Sequence, residues 1–263
     1  MFVKSKILRS PHAFATRLGG VSTLEHTKSL NLAFGRGDED ATVLQNLEIF
    51  AKTAGFDAKS VISLPQIHSD IIYKVNRTRA GEGYFIRDGI ESGDGYITDD
   101  REITLGIKGA DCTPILFEAE TDGEIVAVGA VHAGWRGTAA GIAPKCAAML
   151  CKEYGVLPEQ IRAAIGPCIH KCCYEVGEDL KLEISKLLGE ELAERFVTPS
   201  LVAQGKYYCD LPMLNRELLL RAGLLTDNID VLDECTCCNP EKYFSHRYSQ
   251  GRRGTMLNVI KIQ

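Results

Sequence analysis

No stretch of this sequence stays apolar for the ~18–20 residues that a membrane helix needs. The opening residues Met1-Phe2-Val3-Lys4-Ser5-Lys6 also lack a long apolar segment leading to a small-residue cleavage site. A cytoplasmic protein without membrane contact is therefore expected. Excess positive charge is missing too: 30 Lys and Arg face 35 Asp and Glu, a net charge of −5. Nothing here is suited to neutralise a phosphate backbone, which sets nucleic-acid binding aside. Ten cysteines in 263 residues fall well below the ~8–10% of disulfide scaffolds. They point to free thiols and a metal site. The chain has no Gly-rich loop ending in Lys-Ser/Thr, no G-x-G-x-x-G, no His-Glu-x-x-His and no G-x-S-x-G. Common nucleotide-cofactor and serine-hydrolase chemistries are thereby excluded.

What is present is ordinary globular composition, 45% apolar and 25% charged, which rules out disorder. With no internal repeat or linker, a single domain spanning residues 1–263 is expected. Helical spacing of apolar residues predicts helices over Asp38–Ala54, Thr138–Tyr154, Gly177–Leu188 and Asp210–Ala222, each closed by a glycine. Strands are predicted at Val61–Leu64, Ile71–Val75, Ile103–Lys108, Pro114–Ala119, Ile125–Val131, Ile161–Ile165, Ile229–Leu232 and Leu257–Ile262. The turn Thr121-Asp122-Gly123 joins two of them as a hairpin. Helices and hairpins mix without regular alternation, which indicates α+β: mixed, largely antiparallel sheets with outer helices.

Polar residues at the ends of apolar strands are the candidates for chemistry. His68 follows Leu64-Pro65-Gln66-Ile67, Cys112 sits in Gly109-Ala110-Asp111-Cys112, and His132 ends the most apolar strand. Two imidazoles and a thiolate suit Zn²⁺ and leave a fourth position for water or substrate. Spacings of 44 and 20 residues carry no ligand signature of their own. A Cys–His hydrolase with Cys112 as nucleophile fits the same residues. In Gly134-Trp135-Arg136-Gly137-Thr138 a strand turns into a helix, and Arg136 at a helix start suits an anion such as phosphate; a solvent-facing Arg136 fits equally. Cys168, Cys172 and Cys173, with Cys235, Cys237 and Cys238, allow a structural zinc, although buried free thiols account for them more simply. The cations of Gly251-Arg252-Arg253-Gly254 read first as a solvated loop, and second as substrate-anion ligands.

Taken in order, these segments resemble the laccase-domain purine nucleoside phosphorylase family, also described as polyphenol-oxidase-like or peptidoglycan-editing-factor. Its motifs are matched by Thr16-Arg17-Leu18-Gly19-Gly20-Val21-Ser22, Gln66-Ile67-His68, Gly109–Pro114, His132–Thr138, Ile165–Cys168, Cys172–Gly177 and Phe244–Arg247. The resemblance implies a layered α/β sandwich like a cytotoxic-necrotising-factor catalytic domain, and zinc bound by His68, Cys112 and His132. It implies phosphorolysis of adenosine, inosine, guanosine and methylthioadenosine, with adenosine deamination alongside. In that chemistry Arg136, with Arg17 second, would orient inorganic phosphate, and Asp111 would carry a proton or orient Cys112. His246, where the family more often has an aromatic residue, and the short basic turn Gly251–Gly254 depart from its pattern. The editing-factor description implies amide hydrolysis of a peptidoglycan precursor as an alternative. Six histidines without any His-x-His pair oppose a multicopper oxidase, although the His/Cys/His types also suit a single copper. The sequence does not set the oligomeric state.

Overall fold

The computed structural model describes all residues, Met1–Gln263. Strands β1 (Phe2–Val3), β2 (His12–Ala15), β3 (Val61–Ile62), β4 (Ile72–Lys74) and β5 (Gly95–Thr98) lie in the first hundred residues. They are followed by β6 (Thr104–Gly109), β7 (Thr113–Thr121), β8 (Glu124–Ala133) and β9 (Ile161–Ile165). The remainder are β10 (Glu175–Val176), β11 (Val197–Pro199), β12 (Tyr207–Cys209), β13 (Ile229–Val231) and β14 (Met256–Ile260). Helices are α1 (Asp40–Ala54), α2 (Trp135–Ala139), α3 (Ile142–Tyr154), α4 (Glu178–Leu188), α5 (Glu190–Ala193) and α6 (Leu211–Arg221).

The hairpin β7–β8 is the centre of a six-stranded sheet ordered β13-β9-β7-β8-β5-β4. Asp122 and Gly123 close it with φ of 51° and 85°, the doubly positive pair that matches strand twist in a two-residue turn. Both faces of this sheet are covered. Ile115, Phe117 and Ala119 of β7 pack with Ile142, Cys146 and Leu150 of α3 and Leu219 of α6. Leu116 between them points the other way, with Val128 and Ala130, into a core shared with Phe14, Leu105, Ile107 and Ile260. Those four belong to a second, five-stranded sheet ordered β1-β2-β14-β6-β3. Its outer face carries Ala13, Ala15, Leu257 and Val259 against Val43, Leu47 and Phe50 of α1. The result is a helix/sheet/sheet/helix sandwich of the α+β class, and only the β13–β9, β4–β5 and β3–β6 pairs in its two main sheets are parallel. A third sheet, β10-β12-β11, packs with α4, α5 and α6.

Most expected elements are present with shifted ends, the hairpin strands β7 and β8 run longer than expected, and Ile161–Ile165 coincides. The short strands β1, β2, β10, β11 and β12 and the helix α5 were not expected, and two further differences have clear reasons. The helix expected over Thr138–Tyr154 is interrupted: α2 stops at Ala139 and α3 starts at Ile142, because Gly141 takes a left-handed φ of 79°. Strand β5 was not among the expected strands, since glycines at 93 and 95 leave its start without apolar alternation. Yet Gly95 pairs with Val131 and Ile72 across β5, where a Cβ would lie 2.9 Å from both side chains.

Candidate metal centre

One end of the six-stranded sheet brings His68, Cys112 and His132 together, with their ligand atoms all within 4.8 Å of one another. His132 is the penultimate residue of β8, Cys112 immediately precedes β7, and His68 comes from the loop before β4. Hairpin register explains two of the three, since Thr113 pairs with Ala133 and Pro114 with His132. Two backbone departures complete the approach. His68 has φ 61° and Asp111 has φ 96°, left-handed values that cost non-glycine residues about 1–3 kcal/mol each and that cluster at functional sites. Gly134 gives the clearance: a Cβ there would sit 3.1 Å from His68 Cδ2 and 3.3 Å from Cys112 Sγ.

The donor set fits a tetrahedral ion. Bonds of ~2.0–2.3 Å place nitrogen and sulfur ligands about 3.5 Å apart; Cys112 Sγ lies 4.0 Å from His68 Nε2. His132 is 3% exposed and its Nδ1 donates to Asp94 Oδ1 at 2.9 Å. That contact fixes the tautomer that leaves Nε2 free to bind a metal, with a carboxylate behind it. Asp94, fully buried, also accepts from the backbone N–H of Ile67, His68 and Ser69 and from the Ser69 hydroxyl. One carboxylate thus orients one ligand and anchors the loop of another.

Electrostatics follow this arrangement. Burial alone would raise the Cys112 thiol, but the charge and hydrogen bonds of His132 and then His68 outweigh it and bring it down to about 6. Burial would lower His132, yet Cys112 and Asp94 together lift it to about 9. Burial also opposes ionisation of Asp94, and its bonds from His132 and Ser69 overcome that and hold it at about 2.

The cavity at the trio is lined by Arg36, Gln66, Lys108 and Arg253 as well as the three ligands. Lys108 donates to the Ser63 carbonyl, and burial pulls its ammonium down to about 8. Burial, then the neighbouring Arg36, brings Arg253 to about 10. Three cations in one recess are suited to an anion. Arg253 was visible as a candidate in the basic C-terminal turn; Arg36, in Gly35-Arg36-Gly37, and Lys108, inside a strand, carried no local signal.

The structure does not bring Arg136 or Arg17 to this cavity. Arg136 is exposed, stacked 4.2 Å from the Trp135 ring centroid over a different depression with Asp179, Glu183 and Lys186. Arg17 lines a neighbouring depression that shares Arg253. Its guanidinium donates to the carbonyls of Lys28, Pro240 and Glu25 and lies over Phe244. Asp111 faces the C-terminal loop: Thr236 Oγ1 donates to its Oδ1 and the Arg247 N–H to its Oδ2, both at 2.7 Å. Like Arg36 and Lys108, Asp94 was missed by sequence reasoning, because it lies between two glycines just before β5.

A purine nucleoside phosphorylase, YlmD of Geobacillus stearothermophilus, is 35% identical over 235 residues, covering 88% of this chain and 83% of its own. The crystal structure of YlmD from that organism aligns with TM-score 0.88 at 31% identity, over 100% of this chain and 99% of that one. Purine nucleoside phosphorylase LACC1 of Mus musculus is 31% identical over 258 residues, 96% of this chain, which spans only 55% of the mouse protein. Adenosine deaminase RL5, from an unknown prokaryotic organism, is 32% identical over 244 residues, 92% of this chain and 90% of the relative. No helix is long and apolar enough to cross a membrane. The profile described as multi-copper polyphenol oxidoreductase laccase matches residues 11–263, and the chain belongs to that family.

Proposed function

We propose that this chain is a zinc-dependent purine nucleoside phosphorylase that also deaminates adenosine. Its substrates in this reading are adenosine, inosine, guanosine or methylthioadenosine with inorganic phosphate, and its products are free base and pentose 1-phosphate. One observation carries the proposal: a His68/Cys112/His132 ligand set and three cations, Arg36, Lys108 and Arg253, line the same cavity. The names of the relatives supply the substrate class. His68, Cys112 and His132 would hold zinc, which would supply Lewis acidity toward substrate or water when bound.

The protein's own groups do the rest. Arg36, Lys108 and Arg253 hold phosphate by charge-assisted hydrogen bonds and orient one oxygen toward the anomeric carbon. A new C–O bond forms there as the glycosidic C–N bond breaks, and the base leaves with the electron pair and takes up a proton. For deamination, water adds at the amino-bearing purine carbon and ammonia departs. Asp94 keeps His132 in one tautomer, and Asp111 positions the backbone of Cys112.

Metal-replete protein incubated with inosine and phosphate is expected to yield ribose 1-phosphate and hypoxanthine, and to lose this activity on chelation. Absence of product overturns the phosphorylase reading. Arg253→Met is expected to raise the KM for phosphate and Arg136→Met to leave it near the wild-type value; the reverse result returns phosphate to Arg136. Adenosine is expected to give inosine or hypoxanthine; adenine alone would dismiss deamination.

A second reading, amide hydrolysis of a peptidoglycan precursor, is favoured by the line Cys112–His132–Asp94, which orders thiolate, imidazole and carboxylate as in thiol hydrolases. Activity that survives chelation but not Cys112→Ala supports it. A copper oxidoreductase would instead require copper in the purified protein and turnover of a phenol.

A further inference from the structure

A second group of sulfurs lies outside this cavity. Cys172 and Cys173 follow β9 in the loop before β10, and Cys235 and Cys238 follow β13. Although some sixty residues separate the pairs in the chain, all four Sγ atoms lie within 4.8 Å of one another. Cys238 Sγ is 3.4 Å from both Cys172 Sγ and Cys173 Sγ. Cys168 and Cys237, equally plausible in the sequence, are not part of the group.

We propose that Cys172, Cys173, Cys235 and Cys238 bind a structural zinc ion, distinct from the one held by His68, Cys112 and His132. Three features argue for this over the alternatives. A disulfide joins two sulfurs at about 2.05 Å, whereas Cys238 approaches two partners equally and a fourth thiol completes the set. The separations are near the edge of a tetrahedron of four thiolates, about 3.8 Å for Zn–S bonds of ~2.3 Å. Four thiols gathered only as small hydrophobes would be buried, but Cys172 and Cys238 are exposed. The backbone N–H of His170 also donates to Cys235 Sγ at 3.5 Å, the outer support a metal-bound thiolate needs. On binding, Zn²⁺ forms four Zn–S bonds and the four thiols release their protons to solvent.

The position gives the ion a task. Cys168 and Cys235 are joined by an isolated parallel bridge, and the Thr236 N–H donates to the Cys168 carbonyl. Ile169 N–H donates to the Asp111 carbonyl while Thr236 Oγ1 holds the Asp111 carboxylate. Arg247 donates to the carbonyls of Cys173 and Glu175. Zinc at the four sulfurs would staple the two loops that clamp Asp111, the residue before Cys112.

Metal analysis of the reduced, purified protein tests this. Two zinc ions per chain are expected in the wild type. One each is expected in Cys235→Ser/Cys238→Ser and in His68→Ala/Cys112→Ser. Cobalt loading of the latter variant should still give the intense sulfur-to-metal charge-transfer bands of a tetrathiolate, even if the former fails to fold. One zinc in the wild type together with no such bands overturns the proposal, as does a disulfide between Cys238 and Cys172 or Cys173 in freshly isolated protein. Because this count does not depend on turnover, failure of the phosphorylase reading leaves it intact, and the converse also holds.

Discussion

Asp94 is the residue on which the trio depends most. Its carboxylate fixes His132 and the backbone of the His68 loop at once. Asp94→Asn preserves the shape but removes the charge, and its side-chain amide nitrogen is a donor where the carboxylate had an acceptor. Metal affinity, measured by competition with a chromogenic chelator, is expected to fall about 10–100-fold; an unchanged affinity would show that His132 needs no partner. Lys108 gives the cavity a pH dependence. Burial holds it at about 8, so its charge in the cavity is present at neutral pH and fades as pH rises through 8. The KM for phosphate is expected to climb several-fold between pH 7 and 9 in the wild type, and much less in Lys108→Met. The stability effect has the opposite sign. Below pH 8 the folded state holds a desolvated ammonium, and between 8 and the ordinary lysine range the unfolded chain binds more protons, so this group's contribution to stability rises with pH there.

Among the elements, α6 was the most legible. Asp210 caps it, with Oδ1 accepting from the Met213 N–H, and Pro212 lies in its first turn. Asp210→Ala is expected to cost about 1 kcal/mol in urea unfolding, without altering metal content. The long hairpin was readable as well, because near-continuous apolar runs around Asp122-Gly123 leave few other structures. Strand β5 was not, because Gly93-Asp94-Gly95 leads into it. Those glycines answer close neighbours rather than turn geometry: a Cβ on Gly93 would lie 2.7 Å from the Tyr73 ring. The broken helix at Gly141 belongs to the same class, since periodicity sees apolar positions and not the backbone angle between them.

At the scale of the whole molecule, the two sheets are held by one shared apolar interior. Leu116 faces it fully buried, and Leu116→Ala is expected to destabilise by about 2–5 kcal/mol. Leu225, 53% exposed, is the control: its truncation should stay within about 0.5 kcal/mol. Comparable losses at both positions in denaturant titrations would contradict the layered core. Residue types and local pattern were enough for the α+β class, the main hairpin and four helical regions, because periodicity and turn chemistry are properties of short segments; they only nominated His68, Cys112 and His132, whose ligand set came from the family resemblance. Sheet order, the choice of Asp94 as orienter, the convergence of Arg36, Lys108 and Arg253, and the pairing of Cys172 and Cys173 with Cys235 and Cys238 were decided only by the tertiary structure. These join residues dozens of positions apart, and it is packing of the two buried sheet faces, rather than any local preference, that sets those distances.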